Sequence, residues 1–286
     1  MVNFNGGELV CRAVSSVLAS RIPVEVILVD NASGDGSPAA LRNIFESDDR
    51  VTLIFNRVNR GFAVASNQAL ARAQGAFLLL LNPDCLVGPD TLESMLGVLE
   101  NHPRAGMAGC RIMDPDGSEQ RGCRRTLPTP GSGFRRAFRM ERLLHRDASR
   151  TIDLYRQPLP EAPVEVEAIS GAFMLVRRQA LETVGFLDEG YFLHCEDLDW
   201  CRRFRDAGWR ILFVPGVEVV HHQGSCSQYR PVRVEWHKHR GMARYYRKFL
   251  QGGPLVSALV HVGIAARFGA VAGYAVIRKL VPRGRD

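Results

Sequence analysis

The sequence predicts an α/β fold: a doubly wound, mostly parallel sheet flanked by helices, followed by an apolar helical tail at the C-terminus. Short, continuous apolar runs alternate with amphipathic helical patterns through residues 1–110. Continuous apolar runs are typical of parallel strands, because helices cover both faces of such a sheet. The alternation itself predicts repeated strand–helix units wound on both sides of one sheet.

The composition is that of a globular protein. Of the 286 residues, 46% are hydrophobic and 23% are charged, which excludes disordered, collagen-like and coiled-coil proteins. The seven cysteines form no CxxC pair and no short, even-numbered scaffold, so we expect no disulfide framework and a reducing, cytoplasmic setting. The N-terminus lacks a charged and then apolar leader, so no secretory signal is expected.

The elements of the first half follow from these patterns in order. The predicted strands are Val24–Asp30, Val51–Phe55 and Ala76–Leu81. The predicted helices are Glu8–Ser20, Ser37–Ser47, Ala63–Gln74 and Pro89–Glu100. A strand at residues 2–4 precedes them and is shorter than the usual length of about five or six residues. We therefore expect the natural chain to start several residues upstream.

From about residue 114 to 165 the regular patterns stop. Nine arginines minus two acids give residues 121–150 a charge of +7, equal to that of the whole chain. The arginines are Arg121, Arg124, Arg125, Arg135, Arg136, Arg139, Arg142, Arg146 and Arg150. A long irregular stretch is typical of a functional loop, and clustered arginines suit phosphate, diphosphate or an acidic membrane face. A solvated surface loop is the alternative, and nucleic acid is not an expected partner.

Regular patterns return after residue 163. Strands are predicted at Val164–Val176, Ile211–Val214 and Val217–Val220, and helices at Arg178–Val184 and Leu198–Ala207. Residues 254–281 are mostly apolar and end in basic residues, with His261 and Arg267 as polar interruptions. We expect this tail, within residues 251–286, to lie on a membrane surface beside a domain of residues 1–250. A helix packed on the protein core and a true membrane span are the alternatives.

Polar residues follow four consecutive strands of the predicted sheet. They are Asn5, then Asp30, Asn31 and Ser33, then Asn56 with Asn59, and finally Asn82 with Asp84. Ligands of open α/β sheets bind beyond the carboxyl ends of the strands. Any one of these residues could be a turn or helix-cap residue, but the whole set favours a site for a nucleoside.

A glycine-rich segment after the second strand offers an alternative to the nucleoside site, namely a dinucleotide-binding turn. The sequence GDGSPA, residues 34–39, has the GxGxxA shape of a dinucleotide-binding turn. It follows the second strand rather than the first, and Asn56 stands where a ribose-binding acid would be expected. The sequence therefore argues against a dehydrogenase and for a turn that caps a helix.

A second group of polar residues lies downstream. Glu196, Asp197 and Asp199 open a predicted helix, where acids also complement the helix dipole. His221 and His222 follow the strand at 217–220. A strand-end histidine and Asp84 could share a divalent ion with a diphosphate, since hard cations take few protein ligands beside phosphate oxygens.

Seven segments in order resemble family 2 glycosyltransferases, specifically the rhamnosyltransferase-like branch. They are VNFNGG, VEVILVDNASGDGS, NRGFAVASNQAL, LLLLNPDC, AISGAFMLVRR, GFLDEGYFLHCEDLDWCRR and VVHHQGS, within residues 2–245. The resemblance implies the GT-A fold, a single nucleotide-sugar-binding α/β domain, and transfer with inversion in one displacement.

The resemblance also implies roles for individual residues. Donor and nucleotide binding falls to Asn5, Asp30, Asn31, Ser33, Asn59, Gly61, Asn67 and Asn82, with Asp30 on the pyrimidine base. Asp84 stands at the metal-binding position of the family's DxD motif, and His221 completes that site, with His222 as runner-up. The catalytic acid pair is Glu196 and Asp197, with Asp197 as the general base.

Two departures qualify these implications. Asn82 replaces the first acid of the DxD motif, which implies weaker binding of Mg²⁺ or Mn²⁺. No QxxRW motif follows, which argues against a processive polysaccharide synthase.

The expected enzyme moves rhamnose or a related deoxyhexose from a dTDP- or UDP-linked donor. The expected acceptor is a saccharide or a polyprenyl-diphosphate-linked saccharide of cell-envelope polysaccharide synthesis, at the cytoplasmic face of the membrane. A sugar-nucleotide nucleotidyltransferase and an inactive sugar-nucleotide-binding protein remain as alternatives.

Overall fold

Three parallel strands form the first part of the fold in the computed structural model, which describes residues 1–129, 153–222 and 231–280. They are β1 (Val2–Asn3), β2 (Val26–Asp30) and β3 (Val51–Phe55), in the order β1-β2-β3. The helices that follow each strand are α1 (Leu9–Leu18), α2 (Ser37–Phe45) and α3 (Phe62–Leu70). This half confirms the predicted strand–helix alternation.

The second sheet is mixed. Its strands are β4 (Phe77–Leu81), β5 (Cys85–Leu86), β6 (Ala105–Met113), β8 (Val164–Glu165), β10 (Phe173–Arg177) and β11 (Arg210–His221). Their order is β4-β10-β6-β11-β5, and β8 pairs with β11. A separate antiparallel pair joins β7 (Arg124–Arg125) to β9 (Ala168–Ile169). The helices of this half are α4 (Thr91–Asn101), α5 (Arg178–Val184) and α6 (Glu196–Asp206).

The α/β fold class is confirmed, but the expectation of a mostly parallel sheet is wrong for this second half. β10 runs antiparallel to both β4 and β6, while β11 runs parallel to β6. The predicted single strand at 164–176 is three short strands, β8, β9 and β10. An apolar run reports burial on both faces and not strand direction, so β10, buried along nearly its whole length, reads like a parallel strand.

The first strand is short, as the sequence indicates. The Met1 ammonium donates a hydrogen bond to the Ile27 carbonyl at 2.8 Å, and burial lowers its pKa to about 5. An apolar groove of about 430 Å³ runs beside it, lined by residues of β1, β2 and β4. The position of the natural start stays a prediction.

Large side chains between the second sheet and α6 form the centre of the core. Trp200, Phe204, Phe173 and Phe213 are fully buried. The Trp200 indole meets Phe204 edge to face, with ring centroids 5.3 Å apart, and donates to the Gly185 carbonyl at 2.9 Å. Burying each such ring contributes about 1.5–3 kcal/mol to stability, so α6 is firmly held against the sheet.

The C-terminal region is helical. It consists of α7 (Pro231–Tyr245), a π-helical turn (Tyr246–Leu250) and α8 (Pro254–Leu280). Trp236 and His239 of α7 contact Phe268 of α8 edge to face. The Pro254–Tyr274 part of α8 is long and apolar enough to cross a membrane, with a mean hydropathy of 1.7, and none of that window is buried by the residues that the structure describes. Whether the helix lies on a membrane, spans it or packs on the protein stays a prediction.

Ion pairs tie this helical region to α6. Arg244 and Lys248 each lie 2.8 Å from Asp188, and Lys248 also lies 2.7 Å from Asp199 of α6. Asp199 is fully buried and binds Arg203 at 2.7 Å as well. Burial tends to raise the pKa of Asp188, but hydrogen bonds from Lys248 and Arg244 outweigh it and lower the pKa to about 2.

Candidate active site

The carboxyl ends of β1 and β2 meet at Asn3. Its amide nitrogen lies within hydrogen-bonding distance of Asp30 Oδ1 (2.8 Å), Ser33 Oγ (3.2 Å) and Ser37 Oγ (2.8 Å). Asn3 is fully buried, and its Oδ1 accepts the Gly6 backbone N–H at 3.1 Å. Sequence reasoning did not select Asn3. The signal was present, since it is the one polar residue of the described strand β1.

Asp30, Ser33 and Asn5 lie together, as predicted. The Ser33 hydroxyl donates to Asp30 Oδ1 at 2.6 Å, and the Ser33 N–H donates to Asp30 Oδ2 at 3.0 Å. Asn5 has a left-handed backbone (φ 55°), and its Oδ1 accepts the Gly34 N–H at 2.7 Å. These bonds fix the two loops that follow β1 and β2 relative to each other. Asp35 accepts bonds from Gly7 and Ser37, so the GDGSPA segment is a turn that caps α2.

Asn31 organises the loop after β3. Its Nδ2 donates to Asn59 Oδ1 (3.0 Å) and the Gly61 carbonyl (3.1 Å). Its Oδ1 accepts from Asn56 Nδ2 (3.1 Å) and the Arg60 N–H (3.0 Å). These bonds use both hydrogens and both lone pairs of the amide, so Asn31 shapes this loop. Its contact with a nucleoside stays a prediction.

Gly61 and Asn67 both contact the segment from Leu187 to Phe192. At Gly61 (φ 88°) a Cβ would lie 2.8 Å from the Phe192 carbonyl oxygen, so no side chain fits there. Asn67 donates to the Leu187 carbonyl at 2.9 Å and accepts the Leu187 N–H at 3.1 Å. In this structure the two residues hold the segment that leads into α6, and their expected place in the donor pocket stays a prediction.

Asn82, Asp84 and His221 come together where β5 pairs with the end of β11. His221 Nε2 lies 3.0 Å from Asp84 Oδ1 and 3.2 Å from Asn82 Nδ2. Asp84 and His221 are both buried. The His222 N–H donates to the Asp84 carbonyl at 2.9 Å, which fixes the neighbouring backbone.

Gln120 sets the orientation and tautomer of His221. Its Nε2 donates to Asp114 Oδ1 at 2.7 Å, so its Oε1 is the atom that faces His221 Nδ1, also at 2.7 Å. Nδ1 therefore donates to Gln120, and Nε2 is the ring nitrogen that faces Asp84 and Asn82. A histidine that donates its other N–H to a fixed acceptor is the usual arrangement of a metal ligand. Sequence reasoning missed Gln120, which lies in the irregular stretch.

The donor atoms of this pair suit a divalent ion. Asp84 Oδ1 and His221 Nε2 lie 3.0 Å apart, and carboxylate oxygens and imidazole nitrogens both bind divalent cations in proteins. The described part of the chain contains no group of three His, Cys, Asp or Glu residues that could hold a metal. The donor set therefore suits an ion that takes its remaining ligands from phosphate oxygens.

The acid pair begins α6 after an unusual turn. His194 and Cys195 both have left-handed backbones (φ 68° and 72°), a conformation that non-glycine residues rarely adopt and that clusters at active sites. Asp197 Oδ1 accepts the Leu198 N–H at 2.8 Å, and Asp197 Oδ2 lies 2.5 Å from Arg125 Nη2. Glu196 is 6% exposed. Among the described residues its Oε2 and the Arg125 Nε are buried atoms without a hydrogen-bond partner.

The two carboxyl groups have opposite electrostatic environments. Burial raises the pKa of Glu196, and the adjacent Asp197 charge raises it further. Burial also acts to raise the pKa of Asp197, but the charge and hydrogen bond of Arg125 outweigh it and lower this pKa. Neighbouring acids whose pKa values move apart take different roles in acid–base chemistry. Asp197 is the ionised member of the pair at neutral pH.

One short turn connects the acid pair to the candidate metal ligands. A Cβ at Gly171 would lie 3.3 Å from the Asp197 Cβ, and the next carbonyl, that of Ala172, accepts the Asn82 N–H at 3.0 Å. The Gly171–Ala172 segment therefore contacts both Asp197 and the backbone of Asn82.

Three of the nine arginines of residues 121–150 lie in the described part of the chain. Arg124 is buried and bonds to Glu119 (2.9 Å) and the Gln157 carbonyl (2.8 Å). Arg125 bonds to Asp197, and Arg121 lies 3.6 Å from Asp153. These three contact the protein itself. The other six lie outside the described residues.

Comparisons with known proteins identify the family of this chain. A sequence profile described as Glycosyl transferase family 2 matches residues 1–185. The chain is 33% identical over 252 residues to the N-acetylglucosaminyl-diphospho-decaprenol L-rhamnosyltransferase of Mycobacterium tuberculosis, covering 79% of this chain and 76% of that protein. It is 28% identical over 169 residues to rhamnosyltransferase WbbL of Escherichia coli, covering 57% and 59%.

The fold is likewise that of solved glycosyltransferases. Mannosyltransferase PcManGT from Pyrobaculum calidifontis, in complex with GDP-Man and Mn²⁺, matches 97% of this chain and 77% of its own with a TM-score of 0.58 and 20% identity. This confirms the expected GT-A fold. By its sequence and its fold, this chain belongs to glycosyl transferase family 2, and it is a nucleotide-sugar glycosyltransferase.

Proposed function

We propose that the protein transfers rhamnose or another deoxyhexose, with inversion, from a dTDP- or UDP-linked donor to a saccharide carried on a polyprenyl diphosphate. The observation that carries this proposal is the Gly171–Ala172 turn, which contacts Asp197 on one residue and accepts the Asn82 N–H, next to the Asp84–His221 pair, on the other. The rhamnosyltransferase from M. tuberculosis, whose name gives a diphosphate-linked lipid as its substrate, supports the choice of sugar and acceptor.

Each part of the site has a task in this reaction. Asp197 accepts the proton of the acceptor hydroxyl as its oxygen attacks the anomeric carbon of the donor sugar. The bond to the nucleoside diphosphate breaks in the same step, so no covalent sugar intermediate forms. Asp84 and His221 would hold Mg²⁺ or Mn²⁺, which would neutralise the charge of the departing diphosphate, and Asn82 would bind the donor. Asn5, Asp30 and Ser33 lie where the nucleoside would bind.

The outward face of α8 supports a membrane location. Leu255, Leu259, Val262 and Tyr274 are exposed, while the polar Ser257 and His261 lie on the less exposed side. Ser257 is within 3.3 Å of the Tyr246 hydroxyl. A helix that turns apolar residues outward and polar residues toward the protein is suited to a lipid surface. The cytoplasmic leaflet follows from the lipid-linked acceptor.

The D197N variant tests the reaction. We expect turnover with a dTDP- or UDP-linked deoxyhexose to fall by roughly 10²–10⁴-fold, because a carboxamide cannot accept the hydroxyl proton. Donor affinity, measured by calorimetry, should stay near that of the wild type. D206N, which neutralises an exposed acid at the far end of the same helix, is the matched control. Near-normal turnover in D197N would exclude Asp197 as the base.

Product analysis accompanies this measurement. The wild-type protein should release a free nucleoside diphosphate, whereas a nucleotidyltransferase would release pyrophosphate. A wild-type protein that binds the donor and releases neither product would be an inactive binding protein.

A further inference from the structure

Helix α7 lies between the acid pair, Glu196 and Asp197, and the apolar helix α8. On one side a Cβ at Gly241 would lie 2.8 Å from the His194 carbonyl oxygen, so the helix backbone packs directly on the strained turn before Glu196. On another side Trp236 and His239 contact Phe268 of α8. One surface of α7 therefore connects the region of the acid pair to α8.

Lys238 lies on the flank of α7 between these two packed sides. It is one helical turn from Gly241, and residues three apart are neighbours on a helix surface. Its side chain is 38% exposed, and its Nζ lies 3.5 Å from Glu235 Oε1, a loose contact. The ammonium therefore remains available to a ligand.

His194 lies near Lys238. It is exposed, and the charged groups that act on it are Lys238, Asp197, Glu235 and Arg125. Its imidazole is therefore accessible to a ligand of Lys238.

Two groups that follow or contact this turn have unmet hydrogen-bonding capacity. Glu196 Oε2 and Arg125 Nε are buried and have no partner among the residues that the structure describes. A buried donor or acceptor without a partner costs about 1–3 kcal/mol, so such atoms mark a place where a ligand binds. A sugar hydroxyl, which both donates and accepts, is the group that satisfies an acid and a guanidinium side by side.

We propose that Lys238, with His194 beside it, binds the diphosphate of the lipid-linked acceptor. In such a molecule the diphosphate stands between the sugar, which must reach Asp197, and the lipid, which must reach α8. Lys238 occupies the corresponding position on the protein, and an ammonium with three donors suits phosphate oxygens. This inference rests on the acceptor of the proposed function and adds the residues that recognise it.

Equilibrium binding in the absence of donor tests the inference with the full-length protein. The probe is N-acetylglucosaminyl diphosphate on a short prenyl chain, compared with the benzyl glycoside of the same sugar, which has no phosphate. We expect K238Q to weaken binding of the diphosphate probe about tenfold, the value of one charge-assisted hydrogen bond. K238R should restore most of the affinity, and the benzyl glycoside should bind all variants alike.

Arg240 supplies the matched control. It is exposed and lies two residues, or about 200° around the helix, from Lys238, on the opposite flank of α7. R240Q removes the same charge from the same helix and should leave binding of the diphosphate probe unchanged.

Three outcomes would overturn the inference. If K238Q and R240Q weaken binding of the diphosphate probe equally, the effect is one of overall charge. If K238Q weakens binding of the diphosphate probe and of the benzyl glycoside equally, Lys238 does not recognise the diphosphate. Weaker binding of dTDP or UDP with unchanged acceptor binding would assign Lys238 to the donor instead. Wild-type protein that binds the diphosphate probe but transfers no sugar would contradict the proposed function and leave this inference intact.

Discussion

Arg125 controls the charge of the carboxylate that it contacts. Its guanidinium lies 2.5 Å from Asp197 and holds that pKa down against the effect of burial. Replacing it with glutamine removes the opposing charge, so the pKa of Asp197 rises and a larger fraction is protonated at a given pH. We expect the acidic limb of the pH profile of kcat/KM to move to higher pH in R125Q.

The control for this measurement is R121Q, which removes an arginine that is 67% exposed. Its profile should coincide with that of the wild type. If R125Q keeps the acidic limb of the wild type and only the maximum value of kcat/KM falls, Arg125 positions the Asp197 side chain without lowering its pKa.

Asn82 and Asp84 allow a paired test of metal binding. D84N removes the carboxylate beside His221, so nucleotide binding should lose its dependence on Mn²⁺. N82D places a second carboxylate beside His221 Nε2, which lies 3.2 Å from the Asn82 amide nitrogen in the wild type. Nucleotide binding by N82D should therefore depend more strongly on Mn²⁺. Calorimetric titration of dTDP and UDP with and without Mn²⁺ measures both effects. Identical titrations for the two variants would contradict a metal at this position.

Polar residues at strand ends could be predicted, whereas their long-range partners could not. Asn5, Asp30 and Ser33 follow apolar runs, and the order of elements brings them together at one sheet edge. Arg125 contacts Asp197 across 72 residues of sequence, and Gln120 contacts His221 across 101. Both come from the irregular stretch, where no periodicity indicates which direction a side chain takes.

At the scale of elements, the approach of α3 to the segment before α6 depends on Gly61. A methyl group there would meet Phe192, and the backbone is left-handed (φ 88°). G61A should lower the free energy of unfolding by about 1–3 kcal/mol, since both strain and overlap act on the folded state. Chemical denaturation measures this change.

Gly36 provides the comparison for that experiment. Its φ is −72° and its Cβ position is open, so G36A should change stability by less than about 0.5 kcal/mol. Similar losses in the two variants would show that loss of glycine flexibility, and not contact with Phe192, determines the effect.

The positions of the strands could be predicted from the sequence, but whether each strand runs parallel or antiparallel to its neighbours could not. Parallel β1, β2 and β3 alternate with helices, so their direction follows from the alternation. β10 enters antiparallel between β4 and β6 after the Gly171 turn, and its apolar composition reports only burial. β11 also continues past Pro215 because a register shift between Val214 and Glu218 removes the need for a ladder bond there.

At the scale of the whole molecule, charge and apolar surface concentrate in the C-terminal helices. Two glutamates on the outward face of α8, L259E with V262E, should abolish sedimentation with vesicles that contain anionic lipid, because each charge must be desolvated to insert. The control places the same charges at other exposed apolar residues, I44E with V58E. Full vesicle binding by the α8 variant would contradict a membrane-facing role for this surface.

The ion pairs of Asp188 and Asp199 bear on how a shortened enzyme should be made. The family profile ends at residue 185, and a chain cut there would lose Glu196 and Asp197 themselves. A chain cut at the start of α7 would keep them but lose Arg244 and Lys248. Asp188 would then lose both of its partners, and the fully buried Asp199, in the helix that carries Glu196 and Asp197, would keep only Arg203. Ending the chain after Leu250 keeps both partners and discards the apolar surface, so that is where a soluble form for crystallisation would best be cut.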